Sequence, residues 1–343
     1  MSNSINTKLK KVLVIGLGQL GLPVAKYVND KGFEVYGYDI SSEAMIRAEE
    51  KIGLKTTTSF RNFDIYIICV STHNSSNITS PQIEGLISVV NKISMEANNG
   101  SLVSIESTIP NGTSKRIFEL LEHRLHVVHA PHRWYSLQEE KYGVNQLRVI
   151  GGVNPCCLKL GLEFYAGHSN YDTEICTDEE ILNNYNKHEI TNTSFIETQQ
   201  NFNDANTLSN NNQLESQKHI QSLDIPMHSV SSIEVAELTK IIENSHRYLQ
   251  IAFAEELYLY CQANNILFSE LRDALNTKWN VEILEPRDGI GGHCLPKDTK
   301  MFLTSSKMRS KILQSALEVD TLYRDFLTRR EKKLITSVDN LTN

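Results

Sequence analysis

The chain has no Cys-x-x-Cys pair, no long apolar run and no excess of positive charge. Its six cysteines (Cys69, Cys156, Cys157, Cys176, Cys261 and Cys294) are too scattered for a zinc ribbon or a thioredoxin-type redox pair. No uninterrupted apolar stretch reaches the length needed to cross a bilayer, so no membrane partner is expected. Lys8, Lys10 and Lys11 precede an apolar run that glycines interrupt, which is not the pattern of a signal peptide. A reducing cytoplasm is the expected compartment. The net charge of −7 argues against a general nucleic-acid binder, so an anionic ligand must be held by local positive groups. With 343 residues, 40% hydrophobic and 22% charged, the chain can bury two domains.

The most distinctive stretch is Gly289-Ile290-Gly291-Gly292-His293-Cys294-Leu295-Pro296-Lys297-Asp298. Glycine allows φ > 0 and close approach of backbone to a ligand. Pro296 suits the first turn of a helix. Cys294 is therefore expected where a tight loop enters a helix, with backbone N–H groups favouring its thiolate. Asp298 then lies one turn on, on the same face.

Near the start, Lys11–Ile15 reads as a buried parallel strand and Leu22–Asn29 as a helix, with Gly16-Leu17-Gly18-Gln19-Leu20-Gly21 between them. Val35–Tyr38 is the next strand and ends at Asp39. This is the dinucleotide fingerprint in its proper context: Gly16 for the turn, Gly18 for close approach of the pyrophosphate, and Gly21 for helix–strand packing. Gly16, Gly18, Gln19, Leu20 and Gly21 form the candidate pyrophosphate site at the helix N-terminus. Asp39 is placed to accept hydrogen bonds from ribose hydroxyls. A carboxylate there repels a 2′-phosphate, so NAD is expected rather than NADP.

Further strands are expected over Asp64–Val70, Leu102–Ile105, Val149–Val153 and Ile225–Val230, with helices over Pro81–Ala97 and Asn154–Tyr165. The sheet is thus α/β, a Rossmann-type doubly wound parallel sheet. Ser71, Thr72 and Thr108 follow strand ends, where such sheets bind ligands, and join the candidate cofactor site. The histidines of His126-Val127-Val128-His129-Ala130-Pro131-His132 alternate faces of a strand at i and i+3, so no metal site is expected. Residues 168–222 are rich in Asn, Gln, Ser, Thr and Glu and read as a disordered insertion. Beyond it, Ser231 and Glu234 make a capping box for a long helix to about Ala263, which carries Lys240 and Asn244 one turn apart. Shorter helices are expected over Phe268–Asn276 and about Ser310–Lys333. The expected domains are 1–231, an all-α central domain over 232–305, and a C-terminal helix over 306–343.

Taken together, Gly16 to Pro23, Glu106 to Thr113, Lys240-Ile241-Ile242-Glu243-Asn244 and Gly289 to Asp298 resemble the nucleotide-sugar 6-dehydrogenases, the UDP-glucose and UDP-N-acetylmannosamine dehydrogenase family. The resemblance implies oxidation of a UDP-sugar C6 alcohol to the uronate with two NAD, in polysaccharide precursor synthesis. It casts Cys294 as the nucleophile that passes through a thiohemiacetal and a thioester. Lys240 is implied as the cation for the alkoxide or oxyanion. Asn244 would help to place the oxyanion and water, Asp298 to orient Lys240 or the water, and Thr108 to hold the water. The 233–263 helix resembles a dimer-forming helix, which implies a homodimer.

Two features depart from that pattern. Where the family carries a glutamate after proline, this chain reads Pro131-His132-Arg133. Either His132 serves as the base, which its ordinary pKa allows, or the hydrolytic step differs. The last helix resembles the lead into a third, UDP-binding domain, so that half of the site is expected to be missing or separately encoded. Features of both sugar branches are present. Glu243–Arg247 and Gly-His-Cys resemble the N-acetylhexosamine branch, and Lys297-Asp298 the UDP-glucose branch. The competing readings are a non-catalytic NAD-binding dimer module and a β-hydroxyacid dehydrogenase. The intact Cys294, Lys240, Asn244 and Asp298 speak against the first, and the cysteine loop against the second.

Overall fold

A computed structural model describes residues 10–73, 81–135, 138–167, 221–305 and 310–342. The stretch expected to be a disordered insertion lies outside the described residues except at its very end. In chain order the first half carries β1 (Lys11–Ile15), α1 (Gly21–Asp30), β2 (Glu34–Tyr38), α2 (Ser42–Ile52), β3 (Lys55–Thr56) and β4 (Ile65–Ile68). Next come α3 (Glu84–Glu96), β5 (Leu102–Ile105), α4 (Thr113–Leu120), β6 (His126–His129), β7 (Arg148–Gly152), α5 (Pro155–Ala166) and β8 (Met227–Ser229). The second half is helical: α6 (Ile233–Asn264), α7 (Phe268–Leu275), α8 (Cys294–Ser305) and α9 (Lys311–Thr342).

The chain divides into two compact units. A sheet unit comprises residues 1–70, 87–106 and 114–233, and a helical unit comprises 71–86, 107–113 and 234–343. The segments 71–86 and 107–113, read from sequence as part of the nucleotide domain, cluster with the helices. Residues 310–342 cluster with the helices as well.

The sheet unit holds eight strands in the order β3-β2-β1-β4-β5-β6-β7-β8. The order reverses at β1, where the chain crosses from one half of the sheet to the other, as a doubly wound sheet requires. β1, β4, β5 and β6 are short runs of almost wholly buried residues, as strands covered on both faces must be. The expected parallel sheet is found with one exception: β7 pairs antiparallel with β6 through Val128↔Gly152 and His129↔Gly151. Among the described residues between them no regular α-helix makes a crossover, and the chain doubles back. α5 then leads on to β8, which pairs parallel with β7. The sequence reading passed over α2, whose ends are well marked. Ser41 caps it by accepting the Ala44 N–H, and Gly53 ends it at φ 64.

In the helical unit, α6 runs for 32 residues, near the span expected from its capping signal and apolar spacing. Its buried side chains join two small cores. Tyr248 and Ala252 pack with Ile290 and Ala316, and Ala254 and Cys261 pack with Phe268 and Ile283. Among the described residues no helix is long and apolar enough to cross a membrane.

Candidate active site

In the sheet unit, the fingerprint loop has the form that a dinucleotide needs. Gly16 takes φ +92, and a Cβ there would lie 2.7 Å from the Cys69 carbonyl oxygen. At Gly21 a Cβ would collide with the Gly16 carbonyl. Gly18 faces open space, and Gly18 and Gln19 are exposed. Leu20 precedes α1 without a side-chain cap, so the first N–H groups of the helix are not masked by one. Asp39 ties the loop together: one carboxylate oxygen accepts the Leu17 N–H at 2.7 Å and the other the Ser41 N–H at 2.9 Å. Each oxygen keeps further acceptor capacity for a ribose hydroxyl. These residues fit an NAD adenosine pyrophosphate.

The same unit contains a buried charge network that sequence spacing does not announce. Glu106 receives Arg148 at 3.1 Å and the Tyr165 hydroxyl at 2.5 Å, and it is ion-paired with His132 Nε2. Tyr165 also meets the Ser104 hydroxyl at 2.7 Å. Burial alone would raise the Glu106 carboxyl. The His132 and Arg148 charges, with hydrogen bonds from His132 and Tyr165, outweigh it and hold the group at about 2. The Cys69 thiol, which points at Glu106, is pushed well up by burial and by that carboxylate. His132 is thus buried and bound to an acid, not poised on a free surface.

Of the histidine run, His126 and His129 are also buried, and burial lowers His129 to about 3, which keeps it neutral. Among the described residues, one group has metal-ligand spacing: His126, Cys156 and Cys157, with ligand atoms within 4.8 Å of one another. It offers one ligand fewer than a closed structural zinc site, and both cysteines belong to the apolar core.

In the helical unit, α8 begins at Cys294, as the glycine–proline pattern predicts. The loop before it takes positive φ at Gly289 and Gly292. Cys294 is exposed, whereas Lys297, Asp298 and Thr299 on the following turn are buried. Asn244 on α6 donates to Asp298 at 2.5 Å. The other Asp298 oxygen lies 3.2 Å from the Lys297 ammonium. Lys297 in turn donates to the Thr72 hydroxyl at 3.1 Å, and Thr72 donates to the Thr108 carbonyl at 2.7 Å. This chain of contacts joins four separate segments of sequence.

Partial desolvation and the Asp298 carboxylate raise the Cys294 thiol, against the opposing pull of Lys297 and Lys240. The expected thiolate is therefore not favoured in the free chain: a carboxylate one turn away on the same face works against the backbone N–H groups. Ser71 and His73 share a 2.9 Å hydrogen bond, and the His73 ring lies 4.7 Å from that of His293, beside Cys294.

The sequence-predicted residues therefore fall into two groups. Cys294, Lys240, Asn244, Asp298, Thr108, Ser71 and Thr72 belong to the helical unit, and Gly16, Gly18, Gln19, Leu20, Gly21, Asp39 and His132 to the sheet unit. Sequence reasoning missed Lys297 as a bridging cation. It also missed Glu237, which lies one turn before Lys240 and accepts the Gly112 N–H at 2.6 Å, pinning the turn after Thr108. An acid at helical spacing from Lys240 was the available signal.

Residues 42–168 match the NAD binding domain of the UDP-glucose/GDP-mannose dehydrogenase family, and residues 234–321 match its central domain. A UDP-N-acetyl-D-mannosamine dehydrogenase of Methanococcus maripaludis is 26% identical over 92% of this chain and 66% of its own length. The chain thus spans about two thirds of the length of such relatives. Among solved structures, the UDP-D-ManNAc dehydrogenase of Pyrococcus horikoshii superposes with a TM-score of 0.70, at 24% identity over 96% of this chain and 72% of the other. A 3-hydroxyisobutyrate dehydrogenase of Mycobacterium tuberculosis shares the architecture at 13% identity and a TM-score of 0.61, covering 94% of each chain. With both domain matches in chain order, this chain belongs to the UDP-glucose/GDP-mannose dehydrogenase family.

Proposed function

We propose that the chain carries the NAD-binding and catalytic parts of a nucleotide-sugar 6-dehydrogenase, which oxidises the C6 alcohol of a UDP-sugar to the uronate. The observation that carries this reading is the contact chain Asn244–Asp298–Lys297–Thr72–Thr108, built beside an exposed thiol at the start of a helix. A β-hydroxyacid dehydrogenase shares the architecture but has no use for that thiol.

NAD supplies the hydride acceptor, one molecule for each of two oxidations. The chain's own residues do the rest. The Lys240 ammonium offers a cation to the C6 oxygen as negative charge develops there. Once the aldehyde has formed, Cys294 Sγ adds to its carbonyl carbon and the carbonyl oxygen takes up a proton, giving a thiohemiacetal. Loss of a hydride and a proton from that adduct leaves a thioester. Water then attacks the thioester carbon, releases the carboxylate and returns the sulfur as thiol. Asp298 and Asn244 hold each other in place beside the thiol, and Lys297 neutralises the buried carboxylate. Thr108, fixed through its carbonyl by Thr72, positions the hydrolytic water.

His132 stands where the family carries a glutamate. Its ring is held by Glu106 within the sheet unit; either His132 serves as the hydrolytic base or that step differs from the family's. We further propose a homodimer through α6, and a nucleotide clamp supplied by the part of the relatives' length that this chain does not span. The product serves as a polysaccharide precursor.

The test is NADH release from UDP-N-acetylmannosamine, UDP-glucose and a β-hydroxyacid panel, with and without an added UDP-binding domain. Two NADH per UDP-sugar are expected, and if the nucleotide clamp lies outside this span, adding it should raise kcat as well as lower KM. Turnover of hydroxyacids alone would overturn the reading. NAD binding with no turnover under any condition would favour a non-catalytic module.

A further inference from the structure

The loop that delivers Cys294 is held from behind by α9. Asp320 on this helix accepts the Ile290 N–H at 2.8 Å, four residues before the thiol. The same carboxylate takes the Tyr248 hydroxyl from α6 at 3.2 Å, and Arg324 Nε lies 3.1 Å from both of its oxygens. One turn along α9, the Tyr323 hydroxyl donates to the Arg287 carbonyl at 2.8 Å, gripping the loop at a second main-chain point. Between these two points Gly289 takes φ +87, and a Cβ added there would lie 2.8 Å from the Arg324 guanidinium. Ile290 is 2% exposed and packs with Tyr248, Ala252 and Ala316, with Leu295 against the same cluster. Backbone and side chain of the loop are therefore both fixed by α9 and α6.

We propose that Asp320 is a positioning residue for Cys294: through the Ile290 N–H it sets the path of the Gly289–Gly292 turn, and so the placement and reactivity of a thiol it does not touch. The bond is from a buried main-chain donor to a charged acceptor, the class whose loss costs most. Tyr323 and Arg324 support the same grip, which makes α9 part of the apparatus that places Cys294. This inference rests on Cys294 being the nucleophile, but it is read on the thiol itself and needs no turnover.

The experiment measures the iodoacetamide alkylation rate of Cys294, resolved by peptide mass spectrometry, across the pH range of thiol ionisation. It compares the full chain with Asp320→Ala, Asp320→Asn and Gly289→Ala. Asp320→Ala is expected to change the rate about tenfold and to move the midpoint of its pH profile. Asp320→Asn keeps an oxygen for the Ile290 N–H and should restore most of the wild-type profile. Gly289→Ala drives a methyl group into Arg324 from the loop side and should reproduce the alanine effect. NAD affinity should be the same in all four. Identical profiles throughout would overturn the proposal, as would an Asp320→Asn profile as altered as that of Asp320→Ala. Should Asp320→Ala fail to fold, a folded Gly289→Ala with the wild-type profile would overturn it. Acid formation at the normal rate by Cys294→Ala would sink the functional reading instead, so the two failures are distinguishable.

Discussion

Two buried glutamates, one in each unit, have been pushed in opposite directions. Glu106 in the sheet unit and Glu255 on α6 are both almost fully buried, at 2% and 0% exposure. Glu106 sits at about 2, because His132 and Arg148 overcome the cost of burial. Glu255 rises to about 8 through burial and the nearby Asp320 charge, only partly offset by Arg324. Neither Glu255 oxygen has a hydrogen-bond partner among the described residues. Burial does not decide the ionisation of a carboxyl; what is buried with it does. The sheet unit has an ionised carboxylate held by charged and hydrogen-bonding partners, while the helical unit keeps a neutral acid beside the Asp320 grip on the cysteine loop.

The sharpest way to break this comparison is to remove one partner. Arg148→Leu should leave Glu106 as a buried charge with too little compensation and cost about 3–5 kcal/mol in urea unfolding. A loss below about 1 kcal/mol would mean that the guanidinium contributes little. The pH dependence follows from the lowered Glu106 value. The folded-state pKa lies below the unfolded one of 4.5, so the stability it contributes is present above that value and is lost as pH falls towards about 2. Melting curves of Glu106→Gln should therefore have lost most of the wild-type steepness in that acid window.

Glu255 has the opposite sign. Its folded-state pKa is raised, so the unfolded chain ionises first, and stability declines as pH climbs from 4.5 towards about 8. Glu255→Gln should remove that decline, gaining about 1.4 kcal/mol for each pH unit inside the window and nothing below it. An equal effect of the substitution at both ends would show that the side chain titrates normally.

A smaller effect is expected at Asp39. Asp39→Asn keeps an acceptor for one loop N–H while removing the charge that repels a 2′-phosphate. The preference for NAD over NADP in binding titrations should narrow by about 1.5 kcal/mol. Equal affinities in the unmodified chain would remove the basis for that argument.

The same contrast explains what could be read before any coordinates. The fingerprint glycines, β5 and the long α6 were legible, because local chemistry fixes them: a φ that glycine allows, a short buried apolar run, apolar residues at helical spacing. So was the start of α8 at Cys294, marked by glycines before it and Pro296 after. The Glu106 network was not legible. Glu106 and Arg148 stand 42 residues apart, and Tyr165 a further stretch on, so only the sheet order brings them together. Lys297 was seen as a branch marker, yet its role as bridge between Asp298 and Thr72 depends on a segment 225 residues earlier. The antiparallel β7 escaped because the periodicity of a buried strand is the same in either direction. The raised Cys294 thiol escaped because a helix start and a facing carboxylate push in opposite directions, and sequence does not say which prevails.

The central claim is that Cys294 carries the substrate covalently between two oxidations. The direct measurement is product analysis of Cys294→Ala beside the unmodified chain, with UDP-sugar, NAD and any added UDP-binding domain held equal. Loss of carboxylate is predicted, with at most a slow first oxidation surviving through Lys240. Carboxylate formed by Cys294→Ala at the unmodified rate, with two NADH per sugar, would contradict it.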